Sequence, residues 1–151
     1  MAGIVHFARF FVFMETAEHE FLRGLGKPVH FDHEGYEVGW PRVAASCEYK
    51  SPARLGEVLD IHLQVWRKGR RAMTYRVQFS CEGRPVADGE ISSIFCALPW
   101  KPVDATGAEH KPRPIPIPDF LADQIEEAPA LAVPARSGVA RERSTTRRNR
   151  P

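Results

Sequence analysis

Cysteine is scarce: three in 151 residues, at Cys47, Cys81 and Cys96. The number is odd and no C-x-x-C pair occurs. That argues against a disulfide scaffold and points to a reduced, cytoplasmic protein. No apolar run approaches the roughly 20 residues of a membrane span, so no membrane partner is expected. The apolar start MAGIVHFARFFVFM lacks a basic n-region, carries Arg9 and runs into Glu15, Glu18 and Glu20 without a small-residue cleavage site. It does not read as a signal peptide. The G-x-S-x-G elbow, the P-loop, GxGxxG and HExxH are all missing, as are internal repeats. Formal net charge is only +2 and implies no particular partner.

What is present is ordinary globular composition, 43% hydrophobic and 26% charged, enough for one core. Phe7, Phe10, Phe11, Met14, Ala17, Phe21, Leu22 and Leu25 recur at spacings of three and four. This predicts a helix over Phe7–Leu25, with a stripe wide enough to be largely buried. Glu15, His19 and Arg23 share another face at i, i+4 spacing. Gly24, Gly26 and Pro28 end the helix, and Lys27–Gly35 reads as a polar loop.

The period then falls to two. Val43, Ala45, Cys47 and Tyr49 alternate with polar or small residues, as do Leu59, Ile61, Leu63 and Val65, and then Met73, Tyr75, Val77 and Phe79. Ala87–Leu98 reads as a fourth strand, with Gly89 marking a bulge or a close approach. Arg67–Arg70 and Cys81–Pro85 are glycine-bearing hairpin turns. These elements predict an α+β domain: a long antiparallel meander wrapped on one helix. KPRPIPIPDF should be extended. Asp119–Glu127 should form a short helix capped by Asp119.

The chain therefore divides into a domain over 1–120, a helical extension over 121–128 and a tail over 129–151. The tail holds six arginines against Glu142 alone and lacks periodicity, so it is expected to be disordered. A basic tail without aromatics supports only weak, salt-sensitive contact with nucleic acid, and no nucleic-acid partner is expected.

Few residues offer chemistry. His30, Asp32, His33 and Glu34 are a sparse, loop-borne set, so no metal is expected. The cysteines have no histidine placed beside them and read as small packed hydrophobes. Glu18 neighbours the apolar stripe and is the helix carboxylate to consider for catalysis. Its simpler role is pairing with His19, Arg23 or solvent. Glu48 reads as a sheet-surface charge. His6 stands just ahead of the helix, where an imidazole can orient a substrate, donate to a carbonyl or simply pack.

The stretch from Ala2 to Gly26 resembles the signature of the hotdog-fold acyl-CoA thioesterases, the 4-hydroxybenzoyl-CoA thioesterase and YbgC-like group. Ala2, Gly3, Ile4, Val5 and His6 match the residues that follow the family's aspartate, and Phe7–Leu25 match its buried helix. The likeness continues through VAASCEYKSPARLGEVLDIHLQVWRKGRRAMTYRVQF, GEISSIFCAL and KPRPIPIP. It implies a hotdog fold and hydrolysis of acyl-CoA thioesters, without metal or redox cofactor. It implies a homodimer, or a homotetramer built from dimers, with sheets paired edge to edge and sites at the subunit interface. The catalytic aspartate would fall directly before Met1, which implies either a native start further upstream or a non-catalytic member that holds acyl-CoA.

The resemblance also places the chemistry. Gly3 would let the backbone lie close to the thioester. The Phe7 backbone N–H, in the first helical turn, would hold the developing oxyanion. Arg67, Lys68, Arg70 and Arg71 cluster at one hairpin and are candidates for the CoA phosphates, with Arg54 a weaker one.

Overall fold

A computed structural model describes residues 3–98 and 111–129. The tail expectation for 130–151 lies outside the described residues. In chain order the elements are α1 (Arg9–Gly24), β1 (Phe31–His33), β2 (Tyr36–Gly39), β3 (Arg42–Tyr49), β4 (Asp60–Lys68), β5 (Ala72–Cys81), β6 (Arg84–Ile94), β7 (Cys96–Leu98), β8 (Arg113–Pro114) and α2 (Asp119–Ala122). One four-stranded sheet runs β3-β6-β5-β4 and another β1-β2-β7-β8, with every pairing antiparallel. β6 passes into β7 across the buried Phe95, and β2 into β3 across Trp40 and Pro41. The two sheets are thus halves of one curled sheet folded on α1. Among the described residues no helix is long and apolar enough to cross a membrane.

β4, β5 and β6 form the meander their two hairpins require. β3 does not join it beside β4. It pairs with β6 on the far side, Ala45 opposite Ile91 and Cys47 opposite Gly89. The connection Lys50–Leu59 is long enough to carry the chain from one edge of the sheet to the other, which a hairpin turn is not. β3 is therefore an edge strand, and the inward positions expected of it are mostly uncovered: Val43 and Tyr49 are exposed and Cys47 is half-buried. β5, in the interior, follows its alternation closely, with Met73, Tyr75, Val77, Phe79 and Cys81 buried.

α1 buries a narrower face than its sequence suggests. Phe10, Met14, Glu18 and Leu22 form the buried row, spaced four apart, while Phe7 is 60% exposed. Phe10 packs edge-on against Tyr49 and Phe79, each ring centroid 5.2 Å away. Gly89 marks a close approach rather than a bulge: a Cβ there would stand 2.1 Å from Met14 Sδ.

Two local expectations are corrected. Lys27–Gly35 is not wholly loop, because Phe31–His33 pairs with Tyr36–Gly39. The apolar Phe31 supplies the reason: its ring packs towards Phe95 and Phe120. The second helix is only Asp119–Ala122, and its cap position is Pro118, with Asp119 already in the first turn and making no capping hydrogen bond.

Candidate functional site at the amino end of α1

The chain enters α1 through a tightly held turn. Arg9 N–H donates to His6 O at 2.9 Å and Phe10 N–H to Phe7 O at 3.3 Å. A trans peptide sets its C=O and N–H on opposite sides, so with the His6 carbonyl turned into the helix the Phe7 N–H faces away from it. Among the described residues that N–H has no hydrogen-bond partner. Tyr49 Oη donates to Phe7 O at 3.0 Å and fixes the next peptide unit from β3. His6 is exposed, and its Nδ1 accepts from Ala8 N–H at 3.3 Å. The bond is local: it holds the amide of Ala8, the N-cap residue of α1, ahead of the first turn. Gly3 has φ +67 with open space where a Cβ would stand, so backbone conformation and not crowding requires glycine there.

The segment before the helix rests on the loop 51–57. Val5 N–H donates to Ala53 O at 2.7 Å, Leu55 N–H donates to Gly3 O at 3.1 Å, and Ile4 bridges Arg54. Within that loop Glu57 Oε2 accepts from Arg54 N–H at 2.9 Å and from Arg84 Nη2 at 3.0 Å. The Arg54 N–H first, and then the Arg84 charge, hold the Glu57 carboxyl below the usual carboxylate range. Arg54 is thus joined to the site through its backbone.

Glu18 stands elsewhere, and differently from its expected role at the reaction centre. It is fully buried at 0% exposure, accepting from Ser93 Oγ at 2.7 Å and paired with Arg42 Nη2 at 2.6 Å. Arg42 also reaches Glu15 at 3.1 Å and His19 Nε2 at 3.1 Å. Ser93 and the two Arg42 nitrogens occupy most of its acceptor positions, and the carboxylate is enclosed, which keeps it from a substrate. Its partner is β3's Arg42, not Arg23, which pairs with Glu20. A cavity of about 750 Å³ lies beside this cluster, lined in part by Glu15, His19, Arg42, His30 and Trp40. Gly3, His6 and Phe7 do not line it; they sit on the open surface of the single chain.

The basic hairpin is also remote from Phe7. β5 is ten residues long and links the turn at Arg70 to the turn at Gly83. At about 3.3 Å per residue those ends are roughly 30 Å apart, and the loop beside Gly3 lies at the Gly83 end. Arg67, Arg70 and Arg71 are exposed. Lys68 is not available to phosphate: its Nζ donates to Ala122 O at 2.9 Å and Ile125 O at 2.7 Å, closing off α2. Burial pushes the Cys96 thiol up, and burial first, then Asp88, pushes up that of Cys47. No group of His, Cys, Asp and Glu among the described residues is gathered to hold a metal.

Sequence reasoning passed over Arg42, Ser93, Tyr49 and Arg84. Their partners lie 24, 75, 42 and 27 or more residues away, beyond any spacing rule.

A curled antiparallel sheet folded on one long helix is the architecture of the hotdog class. The Thioesterase superfamily model matches residues 2–87, over half of the chain, and the chain belongs to that superfamily. A protein named "Putative esterase" from Aquifex aeolicus is 36% identical over 74 residues, 48% of this chain and 56% of its own length. The chain thus spans about half the length of that curated relative. The solved structure of a gentisyl-coenzyme A thioesterase superposes with a TM-score of 0.67 at 22% identity, covering 83% of this chain and 89% of the other. A 1,4-dihydroxy-2-naphthoyl-CoA thioesterase from Synechocystis gives a TM-score of 0.65 at 19% identity, covering 82% and 84%. These two likenesses establish the shared fold.

Proposed function

We propose that this protein hydrolyses acyl-CoA thioesters at the amino end of α1. The observation that carries the reading is the Phe7 N–H at the entry to α1, without a partner among the described residues, in a chain of the thioesterase superfamily. The thioester carbonyl oxygen would accept from this N–H, at the positive end of the helix dipole, where negative charge develops in the transition state. A carboxylate at the position that the resemblance puts directly ahead of Met1 would take a proton from a water attacking the carbonyl carbon, or would itself attack and form a mixed anhydride that water then hydrolyses. Collapse of the tetrahedral species breaks the C–S bond. The sulfur leaves as CoA thiolate and takes up a proton, and water supplies the oxygen of the released acid.

No metal or redox cofactor enters this scheme. The cytoplasm, where acyl-CoA is made and used, suits it. A homodimer completes it. The exposed β3 edge invites antiparallel pairing with a second copy. The two-fold would carry the partner subunit's Arg67, Arg70 and Arg71 to the end of the sheet where this chain's Phe7 lies, which brings cations towards the CoA phosphates.

A second reading is a non-catalytic acyl-CoA-binding hotdog protein. It is favoured by the occupation of two described carboxylates, Glu57 in the loop under Gly3 by Arg84 and Glu18 further along α1 by Arg42. One assay separates the two. Free-thiol release from a panel of acyl-CoAs is measured for the chain as it stands and for a form with an aspartate before Met1. The aspartate form should release CoA, and asparagine in its place should lower kcat by about 100-fold or more. Binding of acyl-CoA without release by either form would replace the first reading by the second. Absence of binding would reject both.

A further inference from the structure

The segment that carries Gly3 and leads into the Phe7 amide is held through one loop, 51–57, by two backbone hydrogen bonds. That loop is neither helix nor strand, apart from the isolated bridge at Arg54, so something else must fix it. The hold comes from behind. Arg84 Nη1 donates to Ser51 Oγ and to Pro52 O, each at 2.8 Å, and Arg84 Nη2 donates to Glu57 Oε2 at 3.0 Å. One planar guanidinium thereby ties the start and the end of the loop, on either side of Ala53, Arg54 and Leu55. Arg84 is itself placed by the tight hairpin between β5 and β6. Its two turn residues, Glu82 and Gly83, both have positive φ, 48° and 78°, in the form that matches strand twist.

We infer that Arg84 is a positioning residue of the thioester site: its guanidinium sets the loop 51–57, and the loop sets Gly3 and the Phe7 N–H against the substrate. The inference rests on the reading of the amino end of α1 as the reaction site. Arg84 touches neither substrate nor reacting atoms. Its effect runs through Glu57 and Ser51 to the Ala53 carbonyl and the Leu55 amide, and from them to Val5 and Gly3. A fixed fork is needed, because three acceptors in different directions must be met at once.

The test compares Arg84→Ala and Arg84→Lys with the full chain bearing the aspartate before Met1. Misplacement of reacting groups by about 1 Å costs on the order of 100-fold. Arg84→Ala should therefore lose about 10- to 100-fold in kcat with a much smaller change in KM. Arg84→Lys should recover only part of it, and guanidinium ion at sub-denaturing concentration should partly rescue Arg84→Ala. Hydrogen exchange should quicken at the Val5 and Leu55 amides while β5 and β6 stay protected. Unchanged kcat with unchanged protection would overturn the inference, as would faster exchange throughout β5 and β6. A parent protein without turnover would instead remove the activity reading and the catalytic part of this inference, and the Val5 and Leu55 amides would still decide the anchoring.

Discussion

A carboxylate on the buried row of α1 requires a cation and a donor, and Glu18 has both, in Arg42 and Ser93. Glu18 is enclosed while the Arg42 side chain keeps 30% exposure, so removing the arginine leaves one uncompensated buried carboxylate, which is costly. Arg42→Met should therefore destabilise the protein by about 3–5 kcal/mol in urea denaturation. The double change with Glu18→Leu should recover most of that loss. If Arg42→Met alone proves neutral, the buried pair is absent. The same cluster explains why Tyr75 holds its proton so firmly: burial first, and then the Glu18 charge, push its hydroxyl far above the ordinary range. At this scale the sequence shows which residues are charged. It does not show which cation, 24 positions away, meets Glu18.

Between elements, the separation of α1 from β6 is set by a missing side chain. Met14 fills the space over Gly89, so alanine there must displace the sulfur or lift the helix. Overpacking of a filled core costs about 1–3 kcal/mol. Gly89→Ala should cost that much, and Gly89→Ala combined with Met14→Ala should cost less than the sum of the two, because the sites share one space. Denaturation midpoints with unchanged m-values would measure both. Full additivity would place Met14 elsewhere. Periodicity marked Gly89 as an exception within its strand, but only the packed helix distinguishes a close approach from a bulge. β5 was legible because both its neighbours are strands and its alternation is enforced along its length. β3 was legible as a strand but not as an edge, since pairing order is not written in alternation.

Among the described residues the β3 edge and several apolar side chains near the site stay uncovered, including Ile4 at 52%, Phe7 at 60% and Leu55 at 87% exposure. A free edge and exposed apolar groups together favour association. Light scattering should give twice the chain mass. Adjacent strand residues point their N–H groups to opposite sides, so a proline at Ala45 or at Ser46 should dissociate the dimer, one of the two affecting only the outer edge. A monomer in the unsubstituted protein would rule out the edge pairing and the delivery of the partner's arginines with it.

The sequence by itself determined the helix, the long strands, the two tight turns and the family signature from Ala2 to Gly26. Each depends on residues close together in the chain, where period and glycine placement act directly. The tertiary structure alone decided that β3 lies beside β6, that Glu18 belongs to the interior, that Lys68 closes α2 and that Arg84 stands behind the loop at Gly3. These are meetings of distant segments, fixed by the requirement that every buried charge and every non-repeating loop find partners in space.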